Sequence, residues 1–412
     1  MSTAETETPD DSAALGDRGD AGDAGDGGDG GDGGGVLSRI YPFRALPNPT
    51  KVWAWGMYDL ANQSFALLIL TLFFPVFFKE VVVGDPQKGD STWSIIASIS
   101  LALTVVVSPV LGAVGDCRRM KKKLLIGSGI ACCTLTACLA LLGPGGVWLA
   151  AVLFIPANVA FNLGSNFMAS YLPTLATSRN MGRVSAIGWT MGYIGALLLM
   201  LVSLGAMFAF GLEETAAWRP FFVFAAVWYA MNMVPAAVVL REPACDVLPG
   251  DSGWIVTAAF RRIRETVVHA ARFRQLFRFL LAFLVYGLGV QVMIKFASIL
   301  AADFGIEKTG LVVFVAQLTV TAMITAAATA RFQDKIGAKA TVLIYTAVWL
   351  VSCLGLVAVT IAFPVDPPQW LFWMVGNGIG IGLGGIGTSS RAMVGRFSPA
   401  ARTAEFFGLW GL

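Results

Sequence analysis

Asp59 lies in an apolar stretch, roughly residues 52–78, that is long enough to cross a bilayer. A carboxylate in hydrocarbon is costly, so it normally points into a bundle interior or an aqueous cavity. Asn62 follows three residues later, which predicts a shared helix face, and Tyr58 precedes Asp59. Asp59 could carry a proton, bind the ammonium group of a solute, or hold its helix in register. These three residues are the first candidates for a substrate or proton-coupling site.

A second set of polar side chains is a stripe of amides. Asn158, Asn162 and Asn166 are spaced four residues apart, which places them along one face of a predicted helix. Such a stripe suits a cavity for a polar solute, and Asn162 is the best placed by depth. The same amides could instead bond neighbouring helices, at about 1 kcal/mol each.

Later spans add further polar candidates. Gln291 and Lys295 are four residues apart, and Tyr286 precedes them. Lys295 could extend to the membrane surface, or it could bind a solute carboxylate while Asp59 binds the ammonium group. Asn377 lies among closely spaced glycines, which allow either bending or close helix packing.

The elements that must position these residues follow from composition. The chain is 56% hydrophobic and only 13% charged, with a mean hydropathy of +0.70, which excludes an ordinary soluble protein. Apolar runs predict an all-α membrane protein with about ten spans and an eleventh helix beginning near Thr403. The predicted spans are 52–78, 92–114, 123–143, 147–171, 184–210, 218–240, 277–301, 309–330, 340–362 and 369–390.

Loop charge predicts the orientation. With a cytoplasmic amino terminus, the inward segments would hold 23 Lys and Arg residues and the outward loops four. Basic loops are retained in the cytoplasm, so this bias favours that topology.

Two segments differ from the spans. Residues 1–35 form an Asp/Gly-rich tail with ten acidic residues and one Arg, which we expect to be disordered. Residues 241–276 are a basic linker, compatible with an amphipathic helix on an anionic inner leaflet. They would separate a six-helix bundle, 36–240, from an incomplete one, 277–412.

An internal repeat supports two related halves. Asp116, in a basic turn after span two, matches Asp334 after span eight at an offset of 218 residues. Tyr58 of span one matches Tyr286 of span seven at an offset of 228. Parallel six-span repeats are a transporter architecture, with the solute site between the halves.

These motifs carry a family resemblance. The turn Gly112-x-x-Gly115-Asp116-x-Arg118-Arg119 resembles the loop signature of the major facilitator superfamily. The start Trp55-x-x-Tyr58-Asp59-x-Ala61-Asn62 resembles the autophagy-related vacuolar amino-acid effluxers and their bacterial relatives. The resemblance implies the major facilitator fold of two six-helix bundles, truncated here after about ten complete transmembrane helices. It also implies the cell membrane in a bacterium and the vacuolar membrane in a eukaryote. An acid usual in span seven is absent after Tyr286, so no role is carried over there.

The repeated turns also predict an inner gate. In the resemblance, an acid and basic residues latch helices when the cavity faces outward. The candidates are Asp116, Arg118, Asp334 and Lys335, with Arg183 and Arg391 in adjacent gating loops. The alternative is the ordinary excess of basic residues in cytoplasmic loops, which does not explain the repeated acid.

No motif indicates an enzyme. The sequence has no phosphate-binding Gly-x-x-x-x-Gly-Lys loop, no His-Glu-x-x-His metal site and no nucleophile with a plausible His partner, so we expect no cofactor or metal. The hypothesis is a secondary transporter of a small polar solute, an effluxer of amino acids as the resemblance implies, with proton coupling through Asp59 left open. Its alternatives are transport of a sugar, metabolite or drug, and a membrane nutrient sensor that does not transport. Nucleic acid is not an expected partner.

Overall fold

The computed structural model describes residues 36–212, 214–243, 261, 274–306, 308–364 and 367–411. Within these ranges the chain is helical and has no strand, and ten helices are long and apolar enough to cross a membrane. The predicted all-α membrane fold and its ten spans are confirmed. The acidic tail and most of the linker lie outside the described residues. The spanning helices are α1 (Pro49–Gln63), α2 (Pro86–Arg118), α3 (Lys121–Cys138), α4 (Val147–Ser170), α5 (Met181–Phe210), α6 (Arg219–Val239), α7 (Arg274–Asp303), α8 (Lys308–Ile336), α9 (Ala338–Ala362) and α10 (Gln369–Phe397).

A short final helix, α11, runs from Thr403 to Trp410. Its start confirms the predicted beginning of an eleventh helix. We call residues 36–240 the first half and residues 274–411 the second half. The end of the bundle where α1 begins, α2 ends and α3 begins carries most of the Lys and Arg residues, and we call it the basic end.

The first span does not continue as a regular α-helix. Beyond Gln63 it is a π-helix, Ser64–Leu72, in which the Phe73 N–H donates to the Leu68 carbonyl at 2.9 Å, five residues back. A short α-helical turn, Phe74–Phe77, and a second π-helix, Phe78–Val83, complete the span. Pro75 in the short turn has no N–H to donate, which favours an interrupted helix at this point.

Aromatic packing fills the interior of the first half. Phe65, Phe74 and Phe154 are almost fully buried and form stacked or edge contacts with ring centroids 5.5–6.4 Å apart. In the second half, Phe314 and Phe372 pack 4.5 Å apart within a smaller buried cluster. Large apolar side chains on the outside, such as Leu201 and Val351, suit a helix surface in contact with lipid.

The two halves meet mainly through α5 of the first half and α11 of the second. Helix α5 of the first half packs against α8 and α10, and α2 packs against α11. Small residues allow the close approach: a Cβ on Gly112 of α2 would lie 2.5 Å from the Ala404 carbonyl oxygen of α11. On the other side of this contact, a Cβ on Gly408 would lie 2.9 Å from the Ser108 carbonyl oxygen. These contacts bring charged residues of one half onto the other.

Candidate functional site

Asp59 forms an ion pair with Arg391, which is 332 residues away and belongs to the other half. The Arg391 Nη1 donates to Asp59 Oδ2 at 2.7 Å, and the side chains are 3% (Arg391) and 14% (Asp59) exposed. Asp59 lies ten residues into α1, and Arg391 lies six residues before the end of α10, so the pair sits inside the bundle toward the basic end. The two halves are therefore joined by a nearly dry charge pair.

The rest of the Arg391 guanidinium is bound by helix α5 and by two indole rings. Its Nη2 donates to the Ser185 carbonyl at 2.8 Å, and its Nε donates to Ser185 Oγ at 3.2 Å. Its Cζ lies 4.7 Å from the ring centroid of Trp55 and 5.5 Å from that of Trp189, distances at which a cation and an aromatic face attract. The guanidinium thus has polar partners on three nitrogens and an aromatic neighbour on each of two helices.

Gly188 makes room for this arrangement. A Cβ at this position would lie 2.6 Å from Arg391 Nη2 and 2.7 Å from the Trp55 ring, and it would also overlap the Asp59 carboxylate. Real side chains do not approach so closely, so a larger residue would displace the ion pair. This contact explains why α5 has a glycine at position 188.

At the basic end, Asp334 of α8 binds the first turn of α5. Its carboxylate accepts from the backbone N–H groups of Gly182 at 2.9 Å and Arg183 at 2.8 Å. Arg396 of the same half donates to the carboxylate at 2.9 Å. A carboxylate at a helix N-terminus satisfies free N–H groups and interacts favourably with the helix dipole. We call this set the Asp334 cap.

Asp116 makes the related contact in the opposite direction. Its carboxylate accepts from the backbone N–H groups of Ala404 at 3.3 Å and Glu405 at 3.0 Å, at the start of α11. Lys121 of the same half lies 2.8 Å from the carboxylate, and both side chains are buried. We call this set the Asp116 cap. Each of the two acids that the internal repeat identified therefore binds the start of a helix in the opposite half.

The predicted basic gating residues lie in different places. Arg118 and Lys335 are exposed at the ends of α2 and α8. Arg183 lies in the first turn of α5, where its Nε donates to the Pro42 carbonyl at 2.7 Å and its side chain also bonds the Arg44 carbonyl. The placement of Arg391 in a gating loop is wrong. It lies inside α10, because a paired charge lets that helix continue past the point where hydropathy falls.

Tyr58 and Asn62 lie inside the first half. Tyr229 Oη of α6 donates to Asn62 Oδ1 at 2.7 Å and lies 3.2 Å from Tyr58 Oη, which donates to the Leu125 carbonyl of α3 at 3.2 Å. Asp59 and Asn62, which were expected to share a helix face, contact different helices. Residues three apart on a helix are separated by about 60° around its axis and about 4.5 Å along it. This separation is enough for Asp59 to contact the other half while Asn62 contacts α6.

The amides of α4 bond other helices. Asn158 Nδ2 donates to Ser100 Oγ at 2.7 Å, and Asn166 Nδ2 donates to Ser108 Oγ at 2.6 Å, both on α2. Asn162 Nδ2 donates to the Asn158 carbonyl at 2.8 Å. The stripe exists as predicted, but at Asn158 and Asn166 it joins α4 to α2 instead of lining a cavity. The spacing of the amides predicted that they share a helix face, but it could not predict that this face meets α2.

A cavity of about 690 Å³ lies between α5, α7, α10 and α11. Tyr286 and Gln291 line it, with Trp189 and Tyr193 from the first half, and its other walls are mostly apolar. The Tyr286 hydroxyl lies 2.7 Å from Ser390 Oγ, next to Arg391 in the chain. The side chain of Lys295 lies outside the described part of the structure. A cavity of this size falls in the range of about 300–1,000 Å³ usual for small-molecule sites.

A second, smaller cavity of about 230 Å³ is also shared between the halves. It is lined by Thr71 and Tyr193 of the first half and by mostly apolar residues of α7, α8, α9 and α10. Asn377 does not line either cavity; its side chain is exposed, donates to the Trp373 carbonyl at 3.2 Å and accepts from Thr321 Oγ1 at 2.9 Å. Both shared cavities include Tyr193, one turn beyond Trp189 on α5.

Several residues of the site were not among the predicted site residues. Ser185, Trp189 and Lys121 are ordinary residues of a helix or a basic turn, and only the fold places them on Arg391 or Asp116. Arg391 could be identified as a candidate because it is a charged residue at the end of a predicted span. Among the described residues, no group of three or more His, Cys, Asp or Glu side chains could hold a metal ion.

Comparisons with known proteins agree with this architecture. The family described as "Vacuole effluxer Atg22 like" matches residues 81–412. An uncharacterized MFS-type transporter, YxiO of Bacillus subtilis (strain 168), is 24% identical over 378 residues, which are 87% of this chain and 83% of the relative.

Solved structures show the same fold at low identity. The proton:xylose symporter XylE has a TM-score of 0.62 and 14% identity, over 88% of this chain and 84% of XylE. The human organic anion transporter MFSD10 (TETRAN) has a TM-score of 0.62 and 15% identity, over 89% and 91%. A bacterial homologue of the iron transporter ferroportin, in an outward-facing state, has a TM-score of 0.59. The chain is a multi-pass membrane transporter of the major facilitator type and belongs to the vacuole effluxer Atg22-like family.

Proposed function

We propose that this protein is a secondary active transporter that exports a small polar solute, an amino acid, by alternating access between its two halves. The observation that carries the proposal is the Asp59–Arg391 ion pair, which joins the halves at 2.7 Å near one end of the bundle. A solute can pass this end only when the pair and the two caps separate. The ion pair is then both a gate and the place where a solute can act on the gate.

The charges of the pair suit a zwitterionic solute. Separating two charges in a poorly solvated interior costs several kcal/mol unless each finds another partner. An amino acid brings a cationic group for Asp59 and a carboxylate for Arg391, so it can replace both partners at once. A neutral sugar can offer hydrogen bonds but no compensating charge, which favours an amino acid.

A proton can replace one partner. When Asp59 is protonated, the strong ion pair to Arg391 becomes a weaker hydrogen bond, and the halves separate more readily. Proton binding and gate opening would then be linked, and the proton gradient would drive export. Asp59 would act as the coupling residue, and Tyr58 and Asn62 would fix α1 in the first half.

The caps would form the outer layer of the same gate. Asp116 and Asp334 each hold the first turn of a helix of the opposite half, so rocking of the halves breaks both sets of hydrogen bonds. The excess of Lys and Arg at this end supports its cytoplasmic orientation. With that orientation, the shape described here is closed to the cytoplasm.

The solute would enter the cavity between α5, α7, α10 and α11. Trp189 lines this cavity and also contacts Arg391, so it connects the solute space to the gate. Tyr286 and Gln291 are the polar groups that the second half offers there. The largely apolar walls also favour a second candidate, an amphipathic metabolite or drug whose apolar part fills the cavity.

Counterflow of labelled amino acids into proteoliposomes tests the proposal. We expect saturable exchange by the unaltered protein. Asp59→Asn should retain exchange but lose uptake driven by a pH gradient. The matched control is Asp90→Asn, since Asp90 is exposed and pairs with Lys79 far from the gate. The absence of flux for every amino acid by folded protein would contradict the amino-acid assignment, and flux with drugs or sugars alone would favour the second candidate. Binding without flux of any solute would indicate a sensor.

A further inference from the structure

The contacts of the Arg391 guanidinium have an unequal distribution between the halves. The guanidinium belongs to α10 of the second half, and its described polar and aromatic partners are all in the first half: Asp59, Ser185, Trp55, Trp189 and, at 4.0 Å, the Met168 sulfur. Together these five side chains and the Ser185 carbonyl form what we call the Arg cage. When the halves separate at the basic end, Arg391 leaves with α10 and the Arg cage stays with the first half.

The Arg cage is held in place by first-half contacts that do not need Arg391. Trp55 Nε1 donates to the Met168 carbonyl at 2.7 Å, which ties α1 to α4. Gly188 keeps the space beside Asp59 free, as a Cβ there would meet Trp55 at 2.7 Å. The position of Trp55 and the space beside Asp59 are therefore properties of the first half, whereas the Ser185 hydroxyl also donates to the Thr388 carbonyl of α10 at 2.7 Å.

An emptied Arg cage needs a cation. The Asp59 carboxylate would remain in an apolar part of the bundle without its partner, which is unfavourable by several kcal/mol. A proton would neutralise the carboxylate alone. Ser185 offers two further oxygen acceptors next to it, and the two indole faces attract an organic cation, most strongly one that is planar and weakly hydrated.

We propose that the Arg cage is a binding site for a guanidinium group of the transported solute, and that Arg391 occupies it as a built-in substitute when no solute is bound. The proposal rests on the alternating-access function above and narrows its substrate class to amino acids with a guanidinium side chain. In the bound state, the solute guanidinium takes the place of the Arg391 guanidinium, and the solute carboxylate binds the displaced Arg391.

Binding to a cage-opened variant tests the site without transport. Arg391→Ala removes the built-in guanidinium, and methylguanidinium chloride is the probe. We expect methylguanidinium to raise the unfolding temperature of Arg391→Ala in detergent in a saturable way, at about a tenfold lower concentration than methylammonium, because only the planar cation matches the Arg cage. The unaltered protein should show little shift, since Arg391 fills the Arg cage.

The matched control is the double variant Asp59→Asn/Arg391→Ala, which keeps the cavity but loses the carboxylate. An equal shift in the double variant, or no shift in the single variant, would overturn the proposal. Methylammonium binding as tightly as methylguanidinium would overturn the guanidinium assignment. If Arg391→Ala does not fold, Arg391→Gln offers a neutral polar side chain, too short to fill the Arg cage, for the same measurement.

A measurement on the unaltered protein separates this proposal from the general one. Arginine and citrulline have nearly the same shape, but citrulline carries a neutral urea in place of the guanidinium. We expect arginine to inhibit amino-acid counterflow at about a tenfold lower concentration than citrulline, as one lost charge pair predicts. Equal inhibition with intact counterflow would overturn the Arg cage and leave the transporter proposal standing. Methylguanidinium binding without any counterflow would support the Arg cage as a guanidinium site and overturn the transporter proposal.

Discussion

The Asp116 cap and the Asp334 cap use the same chemistry in two different environments. In each, an acid at the end of one helix binds two backbone N–H groups of the opposite half and one basic side chain of its own half. The Asp116 and Lys121 side chains are 0% and 3% exposed, whereas those of Asp334 and Arg396 are 16% and 27% exposed. Water can therefore replace the lost partners at Asp334 more easily than at Asp116.

This difference predicts unequal mechanical roles. The α2–α11 contact would be the last to open, because separating it removes two backbone N–H donors from a fully buried carboxylate. The α5–α8 contact would open first, because its partly exposed groups are solvated on one side. Four substitutions can break or sharpen the contrast.

The largest effect should come from Asp116→Ala. It leaves the Lys121 ammonium buried without its carboxylate, and we expect the free energy of unfolding to fall by about 3–5 kcal/mol. Denaturant titration in detergent micelles measures the loss. Asp90→Asn, which breaks an exposed ion pair, should change it by less than about 1 kcal/mol. Equal losses of unfolding free energy for the two variants would show that burial of the Asp116–Lys121 pair does not add to its contribution to stability.

Gly112→Ala should have the next largest effect on the same contact. The new Cβ would meet the Ala404 carbonyl, which is backbone and cannot turn away, so overpacking should cost about 1–3 kcal/mol. Gly182→Ala at the Asp334 cap would meet the side chains of Gln333 and Asp334, which can shift, so its loss should be smaller. Gly205→Ala on α5 has open space and is the control. A Gly182 variant less stable than the Gly112 variant would reverse the predicted order.

Asp334→Ala should cost less than Asp116→Ala, about 1–2 kcal/mol, which is the usual worth of a helix cap with a partly exposed ion pair. Its effect on gating should be the larger of the two. Labelling of a cysteine introduced at Thr388, which lies behind Ser185 in the α5–α10 contact, should become faster in this variant. Unchanged labelling would show that the α5–α8 contact does not limit opening at the basic end.

Tyr41→Ala should have the smallest effect. The Tyr41 ring lies 5.1 Å from the Arg183 guanidinium of the first half and 5.2 Å from that of Arg331 in the second, so it joins the halves beside the Asp334 cap. Each contact is worth about 0.5–1 kcal/mol at an exposed site. Cysteine labelling at Thr388 should rise slightly, and Tyr41→Phe, which keeps the ring, should match the unaltered protein. A loss as large as that of Asp334→Ala would make the amino-terminal segment a main part of the gate.

The sequence predicted the spans well, because transfer of some twenty residues into hydrocarbon depends on composition and hardly on neighbours. The repeat also predicted that Asp116 and Asp334 are equivalent. It did not predict which helix each acid binds, since a cap between distant elements leaves no local pattern. Asp59 was found because a carboxylate in an apolar span is rare. The ion-pair partner of Asp59 was not predicted. Hydropathy places Arg391 at the end of a span, whereas its contact with Asp59, 332 residues away in the sequence, places it inside the helix.

The amides of α4 show the converse error. Asn158 and Asn166 were identified as polar groups on one face, which is correct, but a helical face can meet a cavity or another helix. The choice was made by Ser100 and Ser108, two ordinary hydroxyl residues on α2 whose spacing of eight matches that of the amides. Matching of polar groups between two helices is visible only when their register is known.

Glu242, just after α6, connects the α2–α11 contact to the chain that follows. Its carboxylate accepts from the N–H groups of Lys121 at 2.8 Å and Lys122 at 2.7 Å, at the start of α3. Lys121 is also the buried partner of Asp116. Tension on the chain beyond Pro243 would therefore be transmitted from Glu242 to Asp116 through Lys121 alone. A partner or a membrane surface that pulls on that chain would change the resistance of the α2–α11 contact without touching either half's interior.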